Sequence, residues 1–306
     1  MNVLLTGYSG FLGGAIYKAL CPKYTLSLIL RENRELVNNV KNIYYLGGFS
    51  GSSDFSLALN GIECVIHAAA LAHKVNIDCP RQSYYEVNTL ATLKLARQAA
   101  EQGVKRFIFI SSIGVNGASN KKPFLVDDAL NPTDSYSISK YEAEEGLNII
   151  AQETGLEVVI IRPPLIYGKN APGNFGTLLK IANKNLPLPL GAINNERSFV
   201  ALDNLIDLIE TCIEHPNAAN QIFLVSDDEN ISTSNFLKKM ILALGLKPWL
   251  LPVPVSFLKF VALIFGKKAL VERFSSSLTV NIEHTKKTLN WKPPITLDEG
   301  IRRCFK

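Results

Sequence analysis

Short apolar runs alternate with longer helical patterns through the first half of the chain. Five runs have the length and apolar content of strands buried in a parallel sheet, at residues 2–6, 25–30, 64–70, 106–110 and 156–161. Helical patterns lie between them, among them residues 83–102 and 135–153. Strands that alternate with helices predict an α/β fold with a Rossmann-type, doubly wound parallel sheet.

The pattern changes after the fifth run. Residues 168–191 are rich in Gly, Pro and Asn and contain no strand of useful length. We then predict a helix over 204–214 with Asp203 as its N-cap, a last sheet strand at 221–225, and a helix opened by Ser232 and Thr233. We therefore expect a dinucleotide-binding domain over residues 1–165, to which 192–225 return, and a smaller interleaved substrate-binding region mainly over 166–306.

Composition narrows the possible functions of this 306-residue chain. A hydrophobic fraction of 47% and a charged fraction of 19% fit a large α/β domain with a substantial core. The net charge of +5 comes from scattered basic residues, which suits an anionic small molecule and disfavours nucleic acid. Five cysteines without a Cys-x-x-Cys pair predict reduced thiols in a cytoplasmic protein, and the four histidines show no metal-binding spacing, so no metal is expected.

No segment is predicted to span a membrane. The first apolar run begins at Val3, which leaves no room for a signal peptide. The most membrane-like stretch, residues 250–266, contains two prolines and Lys259 and is too short to cross a bilayer. We expect a buried helix there in preference to peripheral membrane contact.

A glycine-rich turn follows the first strand, with Gly7, Gly10 and Gly13 spaced Gly-x-x-Gly-x-x-Gly ahead of a helix. Such a turn lets the backbone approach a pyrophosphate at a helix N-terminus. Arg31 ends the second strand, where an arginine accommodates the 2′-phosphate of NADP. Because Glu32 stands beside Arg31, NADP(H) is favoured and NAD(H) is possible.

Tyr136 and Lys140 are four residues apart, so on a helix both side chains share one face. An ammonium group one turn away favours the phenolate, which lowers the tyrosine pKa and makes it a usable acid or base. His67, at the end of the third run, is expected to be a core histidine. The Tyr-x-x-x-Lys spacing is common by chance, and its weight depends on the motifs around it.

Those motifs occur along nearly the whole chain: the glycine turn 6–13, the small residues 67–70, Asn88, the serine pair 111–112, Tyr136 with Lys140, and segments 162–168 and 197–200. In this order they resemble the extended short-chain dehydrogenases/reductases, which include nucleotide-sugar epimerases, dehydratases and reductases. The chain departs from the family pattern at Ala91, where a glycine is usual, and at Phe49, where an aspartate is usual. The second departure weakens the expected adenine contact.

The resemblance implies a role for each matching residue. Ser112 is expected to hydrogen-bond the reacting oxygen, with Ser111 as its rival, Tyr136 to act as acid/base, and Lys140 to bind the nicotinamide ribose. The cofactor-binding residues implied are Gly7, Ser9, Gly10, Phe11, Leu12, Gly13, Arg31, Ala68, Ala69, Asn88, Tyr136, Lys140 and Pro163. The substrate-binding residues implied are Ser112, Asn174, Arg197 and Arg273, with the two arginines as a diphosphate clamp.

Three functions are compatible with these motifs. The favoured one is NAD(P)H-dependent reduction of a dTDP- or UDP-linked 4-keto-6-deoxy sugar at C4, in O-antigen or capsule precursor synthesis. The alternative is an NAD-dependent 4-epimerase of UDP-glucose or UDP-GlcNAc, and the remote alternative is a non-catalytic NADP-sensing regulator. The resemblance also implies a homodimer, formed through helices such as 83–102 and 135–153.

Overall fold

The computed structural model describes residues 1–31, 40–72, 80–183, 186–266 and 268–305. Its strands are β1 Asn2–Thr6, β2 Thr25–Leu30, β3 Asn42–Tyr45, β4 Cys64–His67, β5 Arg106–Ile110, β6 Glu157–Arg162, β7 Leu165–Tyr167, β8 Arg197–Ala201, β9 Gln221–Leu224 and β10 Asn230–Ile231. Its helices are α1 Phe11–Leu20, α2 Ser56–Leu59, α3 Arg81–Tyr84, α4 Ala91–Glu101, α5 Ser135–Thr154, α6 Gly173–Asn183, α7 Leu202–Glu214, α8 Thr233–Ala243, α9 Val255–Ile264, α10 Lys268–Ser275, α11 Glu283–Leu289 and α12 Leu297–Arg303.

Seven strands form one parallel sheet in the order β3-β2-β1-β4-β5-β6-β9. The order reverses between β1 and β4, which opens a crevice at the carboxyl ends of these strands. The predicted doubly wound α/β fold is therefore confirmed. Strands β7 and β8 of a smaller sheet follow β6 in the chain, and β9 then returns to the large sheet. Strand β10 comes last and completes the small sheet in the order β10-β8-β7.

Both faces of the large sheet are buried, because successive side chains of each strand point to opposite sides. In β1, Leu5 packs into the core on the side of α1 and α7, whereas Leu4 packs into the core on the side of α2, α4 and α5. A third core lies around the small sheet and contains the stacked rings of Phe199 and Phe236, 4.1 Å apart. The small sheet is thereby packed against α6, α8 and α12.

Several predicted elements differ in their boundaries. The run 64–70 is a strand only to His67, and 68–70 leave the sheet. The helix predicted over 83–102 contains a π-helical turn, Tyr85–Leu90, between α3 and α4. Helix α7 begins at Leu202 because Ala201 is its N-cap, so the prediction of Asp203 as N-cap is wrong. The Asp203 carboxylate lies in the first turn and pairs instead with Arg303, at 2.9 Å.

The prediction of a buried helix in residues 250–266 is also wrong. Helix α9 forms there, but of its ten residues only Ala262 is buried. Phe260 and Ile264 are 61% and 66% exposed. The hydrophobic pattern identified an apolar helix correctly and could not show whether another element covers it.

Two features bear on membrane spanning and metal binding. None of the described helices has both the length and the hydrophobicity needed to cross a bilayer. Within the described ranges, no group of three or more His, Cys, Asp or Glu side chains is arranged to hold a metal ion.

Candidate functional site

A cleft of about 480 Å³ lies at the carboxyl ends of β1, β2 and β4. Six residues predicted to bind a cofactor line it: Gly7, Ser9, Gly10, Arg31, Ala68 and Ala69. Gly48 also lines this cleft, as does Phe49, at which the chain departs from the family pattern. Its position at the point where the strand order reverses is where dinucleotides bind in folds of this kind.

The glycine turn is packed so tightly that side chains are excluded from two of its positions. A Cβ on Gly13 would lie 2.0 Å from the carbonyl oxygen of Gly7, and a Cβ on Gly7 would lie 2.6 Å from the backbone nitrogen of Ala69. Gly7 also has a φ of +80°, which favours glycine. Helix α1 begins at Phe11, directly after this turn, so Phe11, Leu12 and Gly13 form its first turn. The turn and the helix N-terminus together fit a pyrophosphate.

Buried polar side chains form a series of hydrogen bonds beneath the cleft. The His67 ring hydrogen-bonds Thr6 at 2.7 Å and Thr92 at 2.9 Å, and it stacks on Phe109. Burial lowers the pKa of His67 to about 3, with the charge of Lys140 acting in the same direction. His67 is thus a neutral core histidine, as predicted.

Asn88 is fully buried in the π-helical turn. Its Oδ1 accepts from the Leu71 backbone N–H at 2.7 Å, and its Nδ2 donates to Ser139 Oγ at 3.0 Å. Asn88 therefore joins the end of the cleft-lining segment 68–71 to helix α5. The resemblance placed Asn88 among the cofactor-binding residues, and its side chain holds the backbone of Leu71, which lines the cleft.

Tyr136 and Lys140 lie one turn apart on α5, as predicted. The Asp134 carboxylate caps this helix by accepting from the Ser137 backbone N–H at 2.8 Å. Lys140 is 1% exposed; its Nζ donates to the Ile110 carbonyl at 2.8 Å. This bond ties the lysine to the end of β5.

The pKa shifts of this pair differ from the prediction. Burial lowers the pKa of Lys140 to about 7, opposed by the Glu144 carboxylate. Burial, together with the charges of Asp134 and Tyr84, raises the pKa of Tyr136 to about 12. The expected lowering of the Tyr136 pKa by Lys140 is therefore wrong for this structure, since the lysine is itself desolvated and directs its ammonium to the Ile110 carbonyl.

A second pocket, of about 260 Å³, adjoins the end of β5 and the start of α5. It brings together three predicted substrate residues, Ser112, Arg197 and Arg273. Pro163, predicted to contact the cofactor, lines this pocket. The lining also includes Phe199 and Thr233, and three residues that sequence reasoning missed, namely Asp134, Leu178 and Phe274. Asp134 could have been found from its N-cap position before the Ser-Tyr-Ser segment.

The structure distinguishes the two candidate serines. Ser112 Oγ accepts from the Gly114 backbone N–H at 3.1 Å, and the side chain lines the second pocket. Ser111 is 3% exposed and donates a short hydrogen bond to Glu144. Ser112 is therefore the serine that can reach a bound molecule.

The two predicted clamp arginines are linked through the backbone. Arg197 Nη1 donates to the carbonyl of Arg273 at 2.7 Å and to that of Ser276 at 3.1 Å, and burial lowers the pKa of Arg197. Arg273 is exposed on α10 at the same pocket. The remaining predicted substrate residue, Asn174, falls in α6, and its side chain lies outside the described part of the structure.

A buried ion pair lies beneath Lys140. Glu144 accepts from Arg162 Nη2 at 2.6 Å and from its Nε at 3.1 Å, and both side chains are 2% exposed. Arg162 Nη1 also donates to Asn116 at 3.1 Å. The pair ties α5 to the end of β6, one residue before Pro163.

The chain is similar in sequence and in structure to known proteins. The model of the NAD dependent epimerase/dehydratase family matches residues 3–226. A UDP-glucose 4-epimerase from Vibrio cholerae is 44% identical, covering 99% of this chain and 94% of the relative. An N-acetyl-α-D-glucosaminyl-diphospho-ditrans,octacis-undecaprenol 4-epimerase from Escherichia coli O157:H7 is 26% identical, covering 99% and 94%. The solved structure of a Bacillus cereus UDP-glucuronic acid 4-epimerase in complex with NAD has a TM-score of 0.79 at 19% identity, covering 99% and 97%.

Proposed function

Because this chain belongs to the NAD-dependent epimerase/dehydratase family, we propose that it is a 4-epimerase of a UDP-linked sugar, UDP-glucose or UDP-GlcNAc. The observation that carries the proposal is the 44% identity to a UDP-glucose 4-epimerase over 99% of the chain. This identity supports the 4-epimerase, which was the alternative predicted from the sequence, over the favoured 4-ketoreductase. The regulator hypothesis is the least supported, since Ser112, Tyr136 and Lys140 are all present.

We further propose NAD(H) as the cofactor in place of NADP(H). The family description and the NAD-bound B. cereus structure support NAD. Arg31, on which the NADP prediction rested, lines the cleft, whereas its neighbours Glu32 and Arg34 lie outside the described residues. In this proposal Gly7, Ser9, Gly10 and the first turn of α1 hold the pyrophosphate, because the tightly packed turn presents backbone at the start of the helix.

When bound, NAD⁺ would supply the hydride acceptor for the sugar C4, and the NADH formed would supply the hydride for the opposite face. In this scheme Tyr136 removes the proton of the sugar 4-hydroxyl and gives it back when the carbonyl is reduced. Ser112 donates a hydrogen bond to the same oxygen. Because burial raises the pKa of Tyr136, its phenolate would need a positive charge nearby, which the nicotinamide ring of bound NAD⁺ would supply.

The second pocket holds the sugar diphosphate in this proposal. Guanidinium groups bind phosphate oxygens through paired N–H bonds, and Arg197 and Arg273 bring two of them to one pocket. The carbonyls of Arg273 and Ser276 hold the Arg197 guanidinium in place. A fixed diphosphate with a loosely held sugar lets the ring turn over between the two hydride transfers.

Product analysis tests the proposed reaction. Purified protein is incubated with UDP-glucose or UDP-GlcNAc, and the products are separated by anion-exchange chromatography while nicotinamide absorbance is recorded. We expect interconversion with the 4-epimer and no net change in absorbance. Consumption of NADPH with a dTDP- or UDP-4-keto-6-deoxy sugar, without epimerisation, would establish the reductase instead.

Substitution of Tyr136 tests the residue assignment. Tyr136→Phe removes the proton-transferring hydroxyl, so we expect kcat to fall by about 10²–10⁴-fold while the cofactor still binds. Tyr141→Phe, on the same helix, is the matched control and keeps its activity. Near-normal turnover by Tyr136→Phe would show that this tyrosine does not transfer the proton.

A second candidate substrate is a sugar joined through a diphosphate to a polyprenol, as in the name of the E. coli O157:H7 relative. The observation that favours it is the exposed apolar helix α9, which packs against α10, the helix that carries Arg273. A polyprenol diphosphate offers the same phosphate groups to the arginine clamp. Comparing initial rates with UDP-GlcNAc and detergent-solubilised undecaprenyl-diphospho-GlcNAc separates the two substrates.

We also propose that the protein is a cytoplasmic homodimer that supplies precursors for a surface polysaccharide. Helices α4 and α5 pack together with partly buried Leu93 of α4 against Gly146 of α5, and Ile149, one turn further along α5, is 52% exposed. A paired apolar surface of this kind suits a contact between two copies. Sedimentation equilibrium of the wild type and of Ile149→Glu tests it, with a monomeric wild type as the contradicting result.

A further inference from the structure

Helix α9 exposes a cluster of large apolar side chains. Phe257, Phe260, Leu263 and Ile264 are 57%, 61%, 61% and 66% exposed, and Phe265, just after the helix, is 71% exposed. We call these five residues the α9 surface. Single exposed apolar residues are common on proteins, whereas five within nine positions form a patch of the kind that marks an interaction site.

The exposed side chains share one face of the helix. Phe257, Phe260 and Ile264 follow a spacing of three and four residues, and Leu263 lies beside them on the same side. Lys259 is exposed at the edge of this face. A helix with one apolar face and a lysine at its margin has the pattern of helices that lie in a membrane interface.

The surrounding sequence is strongly basic. Between Glu229 and Glu272 the chain contains six lysines and no acidic residue. These six positive charges exceed the net charge of +5 of the whole protein, so the remainder of the chain is close to neutral. The charge of the protein is therefore concentrated in the segment that contains the α9 surface.

From this coincidence we propose that the α9 surface docks on an anionic lipid bilayer, with α9 lying in the plane of the interface. The apolar face would enter the region between headgroups and acyl chains, and Lys259 at its edge would face anionic headgroups. Trp249, 54% exposed and six residues before α9, is of the residue type enriched at that depth. A second copy of the chain is a poorer partner, since a two-fold contact would bring the same lysines together.

Docking in this way keeps the second pocket near the bilayer. Helix α9 packs against α10, and α10 contributes Arg273 and Phe274 to the pocket wall. The proposal does not depend on which sugar is bound, because it concerns the outer surface of this helix pair. Docking on a bilayer would also bring the enzyme close to a substrate or product that is attached to a membrane lipid.

Vesicle sedimentation of the full-length protein tests the proposal. Vesicles of phosphatidylglycerol and phosphatidylethanolamine are compared with vesicles of phosphatidylcholine alone, at low and high salt. We expect the protein to sediment with the anionic vesicles, at least tenfold more strongly than with the neutral ones, and salt to reduce the difference. Protein that remains in the supernatant with both kinds of vesicle would overturn the proposal.

Substitutions assign the binding to the α9 surface. The double variant Phe260→Ser/Ile264→Ser removes two exposed apolar side chains and is expected to lower vesicle binding at least about tenfold. Leu57→Ser, at a position that is 80% exposed on α2, is the matched control. Lys259→Glu should weaken binding to anionic vesicles about fivefold or more, whereas Lys18→Glu on α1 should not.

Activity on a water-soluble UDP-sugar serves as the check on folding, because the double variant leaves both pockets intact. Normal activity with lost vesicle binding supports the proposal, and unchanged vesicle binding by the double variant refutes it. If the wild type does not bind vesicles and the double variant changes the sedimentation coefficient in free solution, the α9 surface joins two copies and the membrane proposal is wrong. Absence of epimerase activity in the wild type leaves the vesicle result interpretable and bears only on the proposed reaction.

Discussion

Neutralising Glu144 should destabilise the protein far more than neutralising a comparable residue at the surface. Glu144 and Arg162 are each 2% exposed, and the carboxylate accepts from Arg162 and from Ser111. In Glu144→Gln the side chain keeps its shape but loses its charge. The Arg162 guanidinium then stays buried with Asn116 as a neutral partner and without a counter-ion.

The expected cost follows from the burial of the pair. Breaking a buried ion pair by removing one partner typically costs about 3–5 kcal/mol, because a charge is left uncompensated in a medium of low dielectric constant. We therefore expect the free energy of unfolding of Glu144→Gln to fall by about 3–5 kcal/mol. Glu144→Met/Arg162→Met removes both charges and should recover much of this loss.

Urea denaturation followed by circular dichroism at pH 7.5 measures the effect. The matched control is Glu157→Gln, since Glu157 also pairs with a buried arginine, Arg106, at 2.6 Å but is itself 26% exposed. Arg106 keeps its bonds to the Cys212, Ile213 and His215 carbonyls, so this control should cost about 1 kcal/mol or less. If Glu144→Gln costs no more than Glu157→Gln, burial of the pair does not determine its contribution.

Two further perturbations test the lysine and the glycine turn. The folded protein releases the Lys140 proton near pH 7 and the unfolded chain near pH 10.4, so wild-type stability should rise with pH between these values by up to about 1.4 kcal/mol per unit. Lys140→Met should lack this rise, and urea denaturation of both proteins at pH 6 to 9 would contradict the assignment if their difference stayed constant. Gly13→Ala places a Cβ 2.0 Å from the Gly7 carbonyl oxygen, so we expect NADH affinity, measured by fluorescence titration, to fall at least about tenfold. Gly14→Ala, whose Cβ would lie 3.2 Å from the Tyr8 carbonyl, is the control, and equal affinities of the two variants would exclude a steric role for Gly13.

The sequence was sufficient to predict the parallel sheet because buried strands such as β1 and β5 are short and mainly apolar. It was also sufficient to place the glycine turn at the end of β1. The π-helical turn at Tyr85–Leu90 could not be foreseen, since its pattern is that of an ordinary helix. It depends on packing against α5, where Asn88 and Thr89 bond to Ser139.

Electrostatic predictions were less successful than topological ones. The four-residue spacing of Tyr136 and Lys140 correctly placed both on one helix face but gave the wrong direction for the tyrosine pKa. Sequence spacing contains no information on desolvation, which dominates the pKa of both residues. The choice between Ser111 and Ser112 likewise required the structure, because it depends on Glu144, which is more than thirty residues away along the chain.

The position of β9 has a consequence for the synthesis of this protein. Strand β6 ends at Arg162, and its outer neighbour β9 begins only at Gln221, after two other strands and two helices have been made. At about 5–20 residues per second, the ribosome needs roughly 3–12 s to complete this interval. During that time the apolar strand β6 is an open edge on the nascent sheet, with unpaired backbone groups that can join another chain. Helix α5 is made before β6, and α6, β8 and α7 are made during the interval, whereas α8 to α12 follow β9. Strand β9 therefore covers the edge of β6 before the last five helices of the chain are made.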